Sequence, residues 1–272
     1  MSYQAPSSST LRALSPQRAL GWYDFAEAWL TFPLGRLLDY GCGTGAMCVR
    51  IGPRCGAYVG VDVDADRARQ ASAMLGADIR PISPDEPLPF EDESFDSAII
   101  LEVIEHVADE RVVLAEIARV LKPGGRLLLT TPHKGLLTFI DPGNVKFVAP
   151  WLHRFVHQIV LRQKSYYEER FGQSRRTERG LLADFTTDHS PWHRHYTAER
   201  IRALAPSDLV PVASAVYFPA FRALWMLRMG LKVLTFGRLN SLPWPLSVAN
   251  RSLSRCTSRW GDQLVMLFEK RR

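Results

Sequence analysis

An α/β fold built on a parallel sheet with helices on both faces is the class this sequence predicts, and three observations predict it. Apolar Leu37-Leu38 leads into Asp39 and then into a turn with glycine at Gly41, Gly43 and Gly45. A second apolar run, Tyr58-Val59-Gly60-Val61, ends on another acid, Asp62. Further runs of this kind recur downstream, separated by segments of helix length. Strands alternating with such helices pack as a parallel sheet.

Taken in order, residues 1–16 begin with a Ser-rich stretch and read as a disordered tail, leaving 17–272 as one domain. Residues 17–31 form an amphipathic helical stretch with Trp22, Tyr23, Phe25 and Trp29, suited to covering the mouth of the fold or packing on its sheet. Strand one is Arg36–Tyr40, strand two Ala57–Asp62, and a helix follows from Ala65 to Leu75. A short, proline-bounded third strand lies at Asp78–Ile82. The fourth is Ser97–Leu101, behind the acidic turn Glu91-Asp92-Glu93. A helix over Glu110–Leu121 leads through Pro123-Gly124-Gly125 to strand five, Arg126–Thr131.

Beyond strand five the pattern changes. Residues 134–192, with a helix expected at Trp151–Leu161 and the basic run Ser174-Arg175-Arg176, are too long for an ordinary connection and read as a substrate lid. Thr197 is placed to cap a helix over Ala198–Ala205. Leu209–Phe218 reads as strand six and Gln263–Lys270 as strand seven, with 219–260 a helical insertion between them.

The chain of 272 residues is 46% hydrophobic, enough for a real core, and its formal charge of +6 hides an asymmetry. Residues 1–150 hold 14 Lys and Arg against 19 Asp and Glu, a balance of −5, whereas 151–272 hold 20 against 9, a balance of +11. A basic half of this kind fits an anionic partner (a membrane surface, a phosphorylated substrate or nucleic acid); an arginine-rich composition with solvated faces is the other reading. The four cysteines form no C-x-x-C pair and no zinc spacing, which fits a reducing cytoplasm. No run of about eighteen apolar residues marks a spanning helix, and the N-terminus lacks a secretory pattern. In 220–236, Arg222, Arg228 and Lys232 share about a third of the helical circumference beside Trp225, in an otherwise apolar sequence. Such a helix suits either the membrane interface or a place buried beneath the lid.

The glycine turn is spaced G-x-G-x-G and differs from the dinucleotide fingerprint. Glycines there let a ligand lie against the backbone, and an acid closing the second strand can accept hydrogen bonds from both hydroxyls of a ribose. The pair describes a nucleoside-binding edge. The alternative is an ordinary strand–helix turn in which Asp62 caps the following helix.

Four further segments extend the pattern: Leu88-Pro89-Phe90 with Ser94-Phe95-Asp96, Leu101-Glu102-Val103-Ile104-Glu105-His106-Val107, Arg119-Val120-Leu121-Lys122-Pro123-Gly124-Gly125, and Thr130-Thr131-Pro132. In this order and spacing, over about residues 36 to 133, the chain resembles the class I S-adenosylmethionine-dependent methyltransferases, in the group that includes the ubiquinone- and menaquinone-biosynthesis enzymes. The resemblance implies a Rossmann-like sheet of seven strands, with the last inserted antiparallel between five and six. It also implies S-adenosyl-L-methionine as cofactor. Asp39 would reach the methionine end or brace the glycine turn, Asp62 would grip the ribose, and Val63 would lie along the adenine. The family's usual acid for the adenine amine is displaced here, leaving Ser83 or Asp85 for that contact. Glu102 would lie near the methionine part, partly through its backbone. Glu105 and His106 would sit at a helix start, as caps or as catalytic groups.

A hydroxyl or amine acceptor calls for a general base. His133, just past strand five, is one candidate. His193, in a segment His193-Arg194-His195-Tyr196 that resembles the family's H-x-x-Y/F, is the other, as base or substrate orienter. A metal site at His193/His195 with Asp188 and His189 is disfavoured because the resemblance implies metal-free chemistry. No Asn/Asp-Pro-Pro-Tyr/Phe motif follows strand four, which disfavours DNA and protein-amide acceptors, and no dedicated RNA-binding module is seen, which ranks RNA below lipid-linked and small-molecule acceptors. The expected activity is O-methylation of a lipid-linked, polyprenyl or glycan intermediate, by a cytoplasmic protein peripheral to the inner face of a membrane. A soluble metabolite as acceptor, and a non-catalytic cofactor-binding scaffold, are the alternatives.

Overall fold

The computed structural model describes residues 22–135, 138, 149–168, 176–177, 180–181, 194–218, 221–235, 238, 243–254 and 256–271. The expected tail, the start of the first helix, Ser174-Arg175 and His193 with Asp188 and His189 lie outside them.

Helix α1 (Trp22–Trp29) precedes β1 (Arg36–Tyr40), α2 (Ala46–Ile51), β2 (Ala57–Asp62), α3 (Ala65–Leu75), β3 (Asp78–Pro81), β4 (Phe95–Leu101), α4 (Glu110–Val120) and β5 (Leu121–Pro132). Helices α5 (Pro150–Phe155) and α6 (Lys164–Tyr167) follow, then two-residue strands β6 (Arg176–Thr177) and β7 (Gly180–Leu181), paired with each other. Helix α7 (Ala198–Leu204), strand β8 (Leu209–Tyr217), helices α8 (Phe221–Leu234) and α9 (Trp244–Leu253), and strand β9 (Gln263–Lys270) complete the chain. The main sheet has seven strands in the order β3-β2-β1-β4-β5-β9-β8. Strands β1 to β5 are parallel, and β9 runs antiparallel between β5 and β8. This is the expected Rossmann-like architecture.

The central strands carry apolar residues on both faces because both faces are covered. Leu37, Leu38, Ile99, Ile100, Leu127, Leu128 and Leu129 are fully buried. On α4, Val113, Leu114, Ile117 and Val120 recur at helical spacing and turn inward. Asp109 caps that helix by accepting from the amides of Arg111 and Val112, at 2.8 and 3.4 Å. Its last-turn Arg119 bonds Glu116, Asp92 and the carbonyls of Leu88 and Phe90, which fixes the loop before β4. On the other face α1 packs through Phe25, stacked on Tyr217 at 4.4 Å, while Trp29 Nε1 donates to the Tyr217 hydroxyl at 2.9 Å.

Several boundaries differ from the sequence reading. Strand β4 starts two residues early because Phe95, fully buried, pairs with Leu121 ahead of the glycine turn. For the same reason β5 begins at Leu121 instead of Arg126, with Gly124 at φ +79° inside the irregular step. The expected helix over Trp151–Leu161 is α5 followed by a wider π-helical turn, Val156–Val160. Glu105 and His106 lie in a turn, and the capping role expected for them falls to Asp109. The helix after β2 is capped by Asp64, which accepts from the Arg67 amide at 3.0 Å; Asp62 has other partners.

Topology places the inserted helices. Pro132 and Tyr217, ending β5 and β8, both pair with Gln263, which begins β9. The second insertion therefore leaves and re-enters the sheet at the edge where β1 to β5 end; the first leaves there at Pro132 and returns to it at Tyr196, which bridges His133, before α7 crosses to the start of β8 at the opposite edge. Among the described residues no helix is long and apolar enough to cross a membrane.

Candidate active site

Strand order sets residue order along that edge. Ser83 and Asp85 follow β3, Asp62 and Val63 close β2, Asp39 and the glycines close β1, Glu102 follows β4, and His133 follows β5. Neighbouring strands stand about 4.8 Å apart, so Asp62 and Glu102 flank a span of about 10 Å with the glycine turn between them.

The turn itself is left-handed at Gly41, Gly43 and Gly45, with φ of +78°, +55° and +77°. Their surroundings differ. A Cβ at Gly41 would lie 2.4 Å from Val103 Cγ2 and one at Gly45 would lie 2.4 Å from Leu75 Cδ1, so these two glycines serve packing. A Cβ at Gly43 would meet nothing within 4 Å; this glycine faces open space. The Gly43 amide donates to Asp62 Oδ2 at 2.8 Å, and the Asp64 amide donates to Oδ1 at 2.9 Å. Each carboxylate oxygen has two acceptor sites, so one remains on each for a pair of hydroxyls. Val63, 47% exposed, presents an apolar surface directly beside them.

Asp39 is buried, and Tyr58 donates its hydroxyl to Oδ2. Burial raises its pKa to about 7; the Tyr58 bond opposes the shift and the Asp62 charge adds to it. Such a carboxyl is poised to ionise when a cation arrives. Asp39 is thus tied to β2, through a tyrosine that sequence patterns had not marked. Tyr23 of α1 lies within electrostatic reach of Asp39 and Glu102, and burial chiefly raises its pKa. Arg50 fastens that helix through Asp24 and Glu27, both at 2.7 Å, so α1 stands over the glycine turn.

Glu102 has φ +57°, a sparsely populated conformation for a residue with a side chain. Its amide donates to the Thr130 carbonyl at 3.1 Å, and its carboxylate accepts from Thr130 Oγ1 at 2.8 Å and from Gln263 Nε2. Side chain and amide are both turned toward β5 and β9. Glu105 is fully buried and accepts from Thr131 Oγ1 at 3.0 Å; burial, then the Glu102 charge, holds its pKa well above the carboxylate range. Ser83 and Asp85 are exposed, one strand beyond Asp62.

His133 is brought into the site edge by three backbone bonds. Its amide donates to the Asp262 carbonyl at 2.8 Å, while Tyr196 and Lys134 exchange bonds with Pro132 and Tyr196 at 3.0 and 2.9 Å. His133 Nδ1 contacts the Gly261 carbonyl at 2.8 Å, which requires the proton on Nδ1 and leaves Nε2 as acceptor. The other histidine expected here, His193, is outside the described residues. Its neighbour Arg194 carries a role the sequence did not announce. It donates to the carbonyls of Glu105 (3.1 Å) and Val107 and to Glu110 Oε1 (2.7 Å), the same oxygen that accepts from the Tyr196 hydroxyl at 2.6 Å. The segment leading into α7 is thereby locked onto the turn after β4.

Residues 38–129 match the methyltransferase domain family. The chain is 37% identical over 129 residues to a ubiquinone biosynthesis O-methyltransferase of Nitrobacter winogradskyi, covering 45% of this chain and 49% of that protein. It is 37% identical over 100 residues to the O-methyltransferase resE of Aspergillus sclerotiorum, covering 34% and 38%. It thus spans half or less of the length of these relatives. Among solved structures, a chain of the Haloferax volcanii complex containing the Trm112 methyltransferase activator superposes with a TM-score of 0.51 at 16% identity, covering 97% of this chain and 95% of that one, a likeness of fold. A glycine turn that leaves room at Gly43, and an Asp62 one strand away with an acceptor site to spare on each oxygen, both lie within residues 38–129, the stretch that is similar to the methyltransferase domain family.

Proposed function

We propose that this protein binds S-adenosyl-L-methionine along the β1–β4 edge and catalyses O-methylation of a lipid-linked, polyprenyl or glycan intermediate at a membrane surface. The observation that carries the reading is the pair formed by Gly43 and Asp62: an open backbone approach held in place by a carboxylate with two acceptor sites to spare. The similarity to O-methyltransferases over the same residues supports oxygen as the methylated atom.

The cofactor supplies an electrophilic methyl group on a sulfonium. The protein's part is to bind, align and deprotonate. Asp62 would hold the ribose hydroxyls, Val63 and Ser83 or Asp85 would serve the base, and Asp39, whose carboxyl burial raises to about 7, would ionise against the ammonium end beside Glu102. Holding acceptor and donor in line contributes much of the acceleration in displacements of this kind. His133 lies one strand past Glu102 with Nδ1 committed to Gly261, so its Nε2 takes the proton of the acceptor hydroxyl as the oxygen gains the methyl group. His193 is a second candidate for orienting the acceptor.

Incubating the purified chain with methyl-labelled cofactor and separate lipid, glycan and small-metabolite extracts tests this. Label in the lipid or glycan fraction supports the reading, and label in the metabolite fraction alone overturns the acceptor class. Cofactor binding without transfer to any fraction would assign a non-catalytic scaffold.

A further inference from the structure

The segment Pro150–Val160 is amphipathic the wrong way round. Its outward side carries Trp151, Phe155 and Ile159, which are 72%, 50% and 62% exposed. Its inward side carries His153 and His157, whose rings lie against Tyr167 at 5.7 and 5.8 Å, together with the buried Val160. A segment that keeps its imidazoles partly buried and exposes an indole, a phenyl and a branched alkyl chain at four-residue spacing is not arranged for water. Helix α8 packs against the π-helical part of this segment and adds Met226, Leu227 and Leu234, which are 46%, 43% and 77% exposed.

Charge selects what covers this face. Residues 149–168, 221–235 and 243–254 together contain seven Lys and Arg and a single acid, Glu168. Arg154, Arg162, Lys164 and Arg228 in these stretches are exposed. A second copy of the chain would bring the same cations and repel. An anionic bilayer complements both parts, taking the apolar side chains below its headgroups and pairing the cations with them.

We propose that the face formed by Trp151, Phe155 and Ile159 with the exposed side of α8 docks on an anionic lipid bilayer. The inference deepens the functional reading above, because both insertions rise from the sheet edge that carries the glycine turn, and docking there brings the site to an acceptor held in the membrane. It shifts the docking surface from the cationic arc of α8 to the paired helices. Of that arc, Arg228 is exposed, whereas Lys232 is partly buried near His157.

Sedimentation of the full chain with phosphatidylcholine vesicles, and with vesicles also containing phosphatidylglycerol, tests the proposal. Binding is expected on the anionic vesicles, reduced by salt, and weakened about tenfold or more by the triple change Trp151→Gln, Phe155→Gln and Ile159→Gln. Hydrogen exchange on the wild-type chain, which needs no variant, should slow in 150–160 when anionic vesicles are added. Wild type that ignores anionic vesicles, a triple variant that binds as wild type does, or exchange in 150–160 unaffected by bound vesicles would each overturn it. So would self-association through this face without lipid. Cofactor calorimetry separates the two readings: vesicle binding without cofactor binding would remove the methyltransferase function and leave the docking face.

Discussion

The amide of Gly43 donates to Oδ2 of Asp62 at 2.8 Å, across nineteen positions of sequence, and thereby ties the turn after β1 to the end of β2. The carboxylate that would hold a ribose also sets the shape of the glycine turn, so loop geometry and ligand recognition share one side chain.

Replacing Asp62 should therefore do two things. Asp62→Ala leaves the Gly43 and Asp64 amides without this acceptor and removes the sites for two hydroxyls. S-adenosylmethionine binding is expected to weaken by about 1–3 kcal/mol. Titration calorimetry measures it; unchanged affinity would dissociate Asp62 from the ligand.

The three glycines should respond differently. Gly43→Val projects into open space, so the domain should stay folded at a backbone cost of about 1–2 kcal/mol for the left-handed conformation. Cofactor binding should nonetheless disappear. Gly41→Ala drives a methyl into Val103 and should lower stability more than Gly43→Val does. Circular dichroism and thermal melts beside calorimetry resolve the contrast; equal melting losses at both positions would refute it.

Asp39 predicts opposite pH effects on binding and stability. Its carboxyl is raised from the ordinary 3.8 to about 7, so in the free protein the native state holds a proton that the unfolded chain has released across that window. The contribution to stability is full below about 4 and is lost as pH rises toward 7. A bound cation favours the ionised form, so cofactor affinity should fall by up to about tenfold per pH unit below 7. Asp39→Asn should flatten that affinity profile and stabilise the free chain above pH 7. An affinity profile identical in wild type and variant would exclude Asp39 from the cation's surroundings.

His133→Gln keeps a donor for Gly261 but cannot accept a proton. Turnover should drop by about 10²–10⁴ while cofactor affinity stays unchanged, the signature of a general base. Loss of both together would instead indicate that the β5 edge had collapsed.

Arg194 is expected to be a structural clasp. Arg194→Ala strips donors from two carbonyls and Glu110, and should cost about 2–3 kcal/mol by urea unfolding. Arg194→Lys should recover only part, because an ammonium cannot reproduce the fork that reaches Glu105, Val107 and Glu110 together. A lysine variant as stable as wild type would show that charge alone suffices.

Local chemistry made the sheet and the glycine turn at its edge legible in the sequence. Apolar runs buried on both faces can only be central strands, glycines at positive φ admit few substitutes, and an acid closing a strand has few purposes. Hence the five parallel strands, the turn at Gly41–Gly45 and the place of Asp62 followed from residues near one another in the chain. Tertiary structure alone decided what depends on partners far apart. Tyr58 reaches Asp39, Gln263 draws the Glu102 side chain aside, and Arg194 crosses eighty-nine positions to clasp Glu105. It also decided which side of Pro150–Val160 faces out, because periodicity would turn Trp151, Phe155 and Ile159 inward, whereas packing against Tyr167 places the imidazoles there instead.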